Sequence, residues 1–96
     1  MNIVRIGEPV RVQVTFEPVF VRRNENEFAF PHHKIKPRAF IWQNREYQVS
    51  EITYVWRELI GEVFVYHFAV TEGDNVFELC FNTSTMDWTL VSVACA

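Results

Sequence analysis

The chain reads as a single all-β domain: an antiparallel meander of five or more strands forming a bent sheet or partly open small barrel. Three observations predict this. Apolar and polar residues alternate with period two along most of the 96 residues. No stretch of useful length carries the 3.6-residue period of an amphipathic helix. Turn-forming pairs containing Gly or Asn separate the alternating runs at hairpin spacing. Hydrophobic types make up 49% of the chain, and nine Phe, three Trp and three Tyr supply large rings that one face of a flat sheet would not cover. A curved sheet with a two-sided interior is therefore expected. At this length one core can form and a second domain cannot, so residues 1–96 are one unit.

The elements follow in order. Val10, Val12, Val14 and Phe16 alternate with Arg11, Gln13 and Thr15, the pattern of a strand with one buried and one wet face, and Pro18 ends or bends it. Residues 22–37 read as a long polar and basic connection with one short extended piece at Phe28–Phe30. A hairpin then joins Arg38–Trp42 to Glu46–Ile52. A two-residue loop at Asn44–Arg45 places Trp42 opposite Tyr47, Phe40 opposite Val49 and Arg38 opposite Glu51. After Ser50 the apolar parity switches to Ile52, Tyr54 and Trp56, which one extra residue near Ser50 or Glu51 would produce, so a bulge in one long strand is expected.

Glu58–Gly61 turns the chain into a strand over Glu62–Thr71, with Phe64, Tyr66, Phe68 and Val70 on one face. Gly73–Asp74 suits a two-residue loop, because Gly adopts positive φ without penalty. That loop sets Val70 against Phe77, Phe68 against Leu79 and Tyr66 against Phe81. A one-residue slip would set Phe68 against Glu78, so the register is tightly specified. The final turn, Thr83–Asp87, leads to a last strand pairing Leu79 with Val91 and Phe77 with Val93, and the N-terminal strands are left to close the sheet.

The formal charge of −3 hides an asymmetry: all nine Lys and Arg fall in residues 1–57 with six acids, and residues 58–96 hold six acids and no cation. The basic cluster faces phosphate, an acidic partner or this chain's own acidic half. Cys80 and Cys95 fall about five residues apart along paired strands, roughly 16 Å, beyond the ~7 Å that a disulfide spans. Both are expected as free thiols, in keeping with a reducing, cytoplasmic compartment. No run of about 20 apolar residues suggests a membrane span, and Met1–Arg5 lacks the apolar stretch of a signal peptide.

No motif dictates a chemistry. Paired carboxylates, a nucleophile elbow, a P-loop and a dinucleotide loop are missing from the sequence. His67 falls opposite Cys80, but a thiolate nucleophile also needs an orienting group and a substrate pocket, so no catalytic residue is assigned. His32 and His33 are adjacent and in an extended chain point to opposite sides, and no ligand pair has zinc-site spacing, so no metal or cofactor is expected. Two surfaces remain. Arg22, Arg23, Lys34, Lys36, Arg38 and Arg45 form a basic rim, joined at the 34–47 hairpin by Trp42. Trp56 and Arg57 are the residue types that dominate protein interaction hot spots.

The run Pro37, Arg38, Ala39, Phe40, Ile41, Trp42, Arg45, Tyr47, Val49, followed by Trp56 and Arg57, resembles a family of small bacterial all-β domains of unknown function. Their pattern is approximately P-x-x-F-x-W-x-x-R-x-Y-x-V with a later W-R. The resemblance covers about residues 37–93 and implies at most a loose link to DNA repair, because such domains are sometimes encoded near translesion polymerases. It implies no activity or cofactor. The expected function is that of a non-enzymatic accessory or protein-interaction module, with an unknown protein partner or self-association. The alternative is single-stranded nucleic-acid binding through the basic and aromatic 34–47 hairpin.

Overall fold

A computed structural model describes residues 2–18 and 31–95. These form β1 (Asn2–Pro9), β2 (Arg11–Phe16), a 3-10 turn (Pro31–Lys34), β3 (Ile35–Trp42), β4 (Arg45–Gln48), β5 (Glu51–Ile60), β6 (Val63–Glu72), β7 (Asn75–Asn82) and β8 (Asp87–Cys95). The all-β expectation holds, with one change of plan. The strands divide between a five-stranded antiparallel sheet, β1-β8-β7-β6-β5, and a three-stranded one, β2-β3-β4. They do not close into a barrel.

Two short crossings join the sheets. The Val49 amide donates to the Arg38 carbonyl at 2.9 Å, and the next amide, Ser50, donates to Thr71 across the gap at 2.8 Å. Consecutive residues thus bond to different sheets. The parity switch after Ser50 is this crossing and not a bulge in one strand; the bulge itself comes later, between Ile52 and Tyr54. At the other crossing Val10 donates to the Trp88 carbonyl at 3.1 Å and carries β1 into β2. The N-terminal strand left to close the sheet does pair, with β8, from Asn2–Cys95 to Pro9–Thr89.

Register follows turn chemistry. The β6–β7 hairpin pairs Val70 with Phe77, Phe68 with Leu79 and Tyr66 with Phe81 as expected, through Gly73 at φ 60°. In the β3–β4 hairpin the loop is Gln43–Asn44, at φ 52° and 61°, so Arg45 belongs to the strand. Trp42 therefore faces Arg45 and Phe40 faces Tyr47. The register has moved by two, which leaves every side chain on its expected face. Phe77 meets Val93, but the pairing shifts after Glu78 and sets Leu79 against Leu90 instead of Val91. The turn expected at Glu58–Gly61 lies later, because β5 runs to Ile60 and pairs it with Val63.

The connection expected over 22–37 is shorter at its C-terminal end. His32–Lys34 lie in the 3-10 turn, and Ile35–Pro37 open β3. Pro37 is tolerated there because β4 stops pairing at Gln48–Ala39, leaving the proline bonded on one side only. Arg22, Arg23 and Phe28–Phe30 lie outside the described residues.

The core lies between the sheets. Ile35, Phe40 and Tyr47 of the small sheet pack on Tyr66, Phe68, Val70, Phe77, Leu79, Phe81, Leu90 and Val93 of the large one. Phe40 stacks on Tyr47 (5.0 Å, 7°) and meets Phe77 edge-on at 5.0 Å. Phe16, expected on the buried face of its strand, is 73% exposed at the end of β2.

Candidate interaction surface

Of the expected basic rim, Lys34, Lys36, Arg38 and Arg45 lie among the described residues. Lys34 is exposed on the 3-10 turn, and Lys36 is half-buried on β3. The Arg38 Nε donates to Thr15 Oγ1 at 2.6 Å while its guanidinium pairs with Glu17. Arg45 lies 4.5 Å over the Tyr47 ring and 3.7 Å from a Glu72 oxygen. Trp42 is half-buried, and its indole N–H donates to Glu8 Oε2 at 2.6 Å. Arg38, Trp42 and Arg45 thus each have a partner in their own chain.

Trp56 and Arg57, neighbours in sequence, go to opposite faces of the large sheet. Trp56 pairs across to His67 on the outer face and stacks on its ring (5.0 Å, 6°). Arg57 pairs across to Tyr66 on the core side, its guanidinium 4.8 Å over Phe64. His67 also places Nδ1 3.1 Å from Glu78 Oε2. Cys80 is opposite His67, as the register required. Burial pushes the Cys80 thiol up from 9.0 despite a hydrogen bond with Thr89, the reverse of what an activated nucleophile needs. Cys80 and Cys95 are both free.

His32 and His33 are not on opposite sides as an extended backbone would place them. The 3-10 turn brings their rings to 4.3 Å, and His32 is buried 5.2 Å from Tyr66. Burial, reinforced by His33 and Arg57, holds the His32 imidazole below its ordinary 6.5. No group of three His, Cys, Asp or Glu suited to a metal occurs among the described residues. Open depressions of about 520 and 220 Å³ lie on the outer side of the small sheet, sharing Arg11 and Ile41.

The most exposed large apolar residues of the large sheet's other end are on β5. Tyr54, Leu59 and Ile60 are 63%, 58% and 56% exposed, and Phe64 follows at the start of β6. Sequence reasoning placed a turn over part of this stretch and missed it. The available signal was a strand-forming run with apolar residues at both parities, Tyr54, Val55, Trp56, Leu59 and Ile60, which one buried face cannot absorb. β5 is also an edge. The two-residue turn at Gly61–Glu62 makes Ile60–Val63 the closing hydrogen-bonded pair. Counting back by twos, Glu58, Trp56 and Tyr54 aim their backbone groups at β6, whereas Leu59, Arg57 and Val55 aim theirs outward.

No family model matches this chain, and no curated protein and no solved structure matches it either. No helix among the described residues is long and apolar enough to cross a membrane.

Proposed function

We propose that this chain is a non-enzymatic accessory module, bacterial and cytoplasmic, that acts by binding another protein strand along β5. The observation that carries this reading is the coincidence on one edge of the described strands of outward-directed backbone groups at Val55 and Leu59 with exposed Tyr54, Leu59 and Ile60. Either feature alone is common; together they match strand addition, in which the ladder supplies affinity and flanking side chains supply specificity. Two free thiols support a reducing compartment. A photo-crosslinking residue at Leu59, in the cells that make the protein, should give a covalent adduct, and the same residue at exposed Thr85 should give none. No adduct at Leu59 would contradict the reading.

Nucleic-acid binding through the 34–47 hairpin is the less supported alternative. A stacking platform needs open ring faces, and Tyr47 is buried while Trp42 is half-buried and bonded to Glu8. Binding of a single-stranded oligonucleotide that falls steeply with salt and is lost in Lys36→Ala would favour it.

A further inference from the structure

Independently of β5, we infer that the outer face of the small sheet binds a small zwitterion, an ω-amino carboxylate whose opposite charges are separated by a short apolar stem. Register builds the site. Ile41 pairs with Arg11 of β2 on one side and with Glu46 of β4 on the other, so the three side chains stand in one row on one face. Phe40, one residue earlier, pairs with Val12 and Tyr47 and packs in the core, which turns the Ile41 row outward. The neighbouring outward row is Gln13, Ala39 and Gln48. Ala39 has the smallest side chain of these six. It lines the depression of about 220 Å³, whose polar boundary is Arg11, Gln13 and Glu46.

Charge selects the ligand. Arg38 and Arg45, the other arginines of this sheet, are paired with Glu17 and Glu72. Arg11 and Glu46 instead flank an apolar centre: two strand spacings set their Cα atoms about 10 Å apart. Neither side chain has a hydrogen-bond or ion-pair partner among the described residues. A dianion such as phosphate would have one guanidinium to hold it and the Glu46 carboxylate to repel it, and a simple amine would meet the reverse. A molecule with both charges satisfies both groups. Its carboxylate takes the guanidinium fork of Arg11, its ammonium takes the Glu46 carboxylate, and its methylenes lie over Ile41, which is 40% exposed. An α-amino acid carries both charges on one carbon and cannot span the row, so the stem is part of the recognition.

Titration of ε-aminocaproate into the isotope-labelled full chain at fixed ionic strength tests this, read from backbone amide shifts in NMR spectra. Saturable shifts are expected at Arg11, Ala39, Ile41 and Glu46. The Kd should be on the order of 1 mM, because both charge pairs are open to solvent. Hexanoate and hexylamine, each lacking one of the charges, should bind roughly two- to fivefold more weakly. Glycine, a zwitterion without the stem, should give no saturable shift. Arg11→Gln should erase the preference for ε-aminocaproate over hexylamine, and Glu46→Gln the preference over hexanoate. Both positions are exposed, so the amides of β6 and β7 should keep their wild-type shifts in either variant. Absence of saturation at the four positions, equal affinity for all the probes, or equal affinity of wild type and Arg11→Gln for ε-aminocaproate overturns the inference.

Discussion

The large sheet has two ends with similar composition and different surroundings. Over β7 and β8 it carries the small sheet, and Phe40, Phe77, Leu79 and Leu90 are almost completely buried. At the far end of β5 Leu59, on that same core face, is exposed, while Tyr54 and Ile60 share the outer face with Trp56. The difference teaches that burial here is decided by where the second sheet lies, not by side-chain hydrophobicity. The layered end builds stability, and the far end leaves apolar surface exposed.

The largest expected effect contrasts the two ends by truncation. Phe77→Ala should cost about 3–5 kcal/mol in urea unfolding, because its buried ring packs against both Phe40 and Tyr47. Leu59→Ser should change the monomer's stability by no more than about 0.5 kcal/mol. Equal losses at both positions would break the comparison.

Adjacent prolines give the next effect. Glu58→Pro deletes an N–H directed at β6 and should cost about 1–3 kcal/mol, whereas Leu59→Pro deletes one directed outward and should be nearly neutral in the monomer. Similar losses at the two sites would show the outward assignment to be wrong.

The pH response separates the ends further. The folded state holds the His32 imidazole below 6.5, so under acid the unfolded chain takes up a proton that the folded chain refuses. Stability should be flat above pH 6.5 and fall as pH drops through that value, and His32→Gln should flatten the fall in an equilibrium-unfolding pH series. The smallest effect is chemical. With its thiol raised by burial, Cys80 should alkylate more slowly in the folded protein than in urea at the same pH.

The sequence was most legible where a slip would have been punished. The β6–β7 register is determined because moving it by one residue drives Glu78 into the core, and Gly73 marks the turn. The β3–β4 loop was misplaced by one position, because Gln43 at positive φ is a weak signal and the resulting shift of two preserves every face. The sheet crossing at Val49–Ser50 was hidden because a bulge and a change of sheet both reverse apolar parity. The Gly73–Asp74 hairpin even predicted the His67–Cys80 pairing. The candidate surface was harder to read. Alternation cannot tell an edge strand from an interior one, and residue type alone could not say that Trp56 and Arg57 would point to opposite sides of a strand that continues to Ile60.

Amide hydrogen exchange, read residue by residue along β5, tests the central claim most directly. The account predicts that the amides of Val55 and Leu59, directed away from β6, exchange rapidly while those of Trp56 and Glu58, directed at β6, are protected. Equal protection at the outward and inward positions would contradict it.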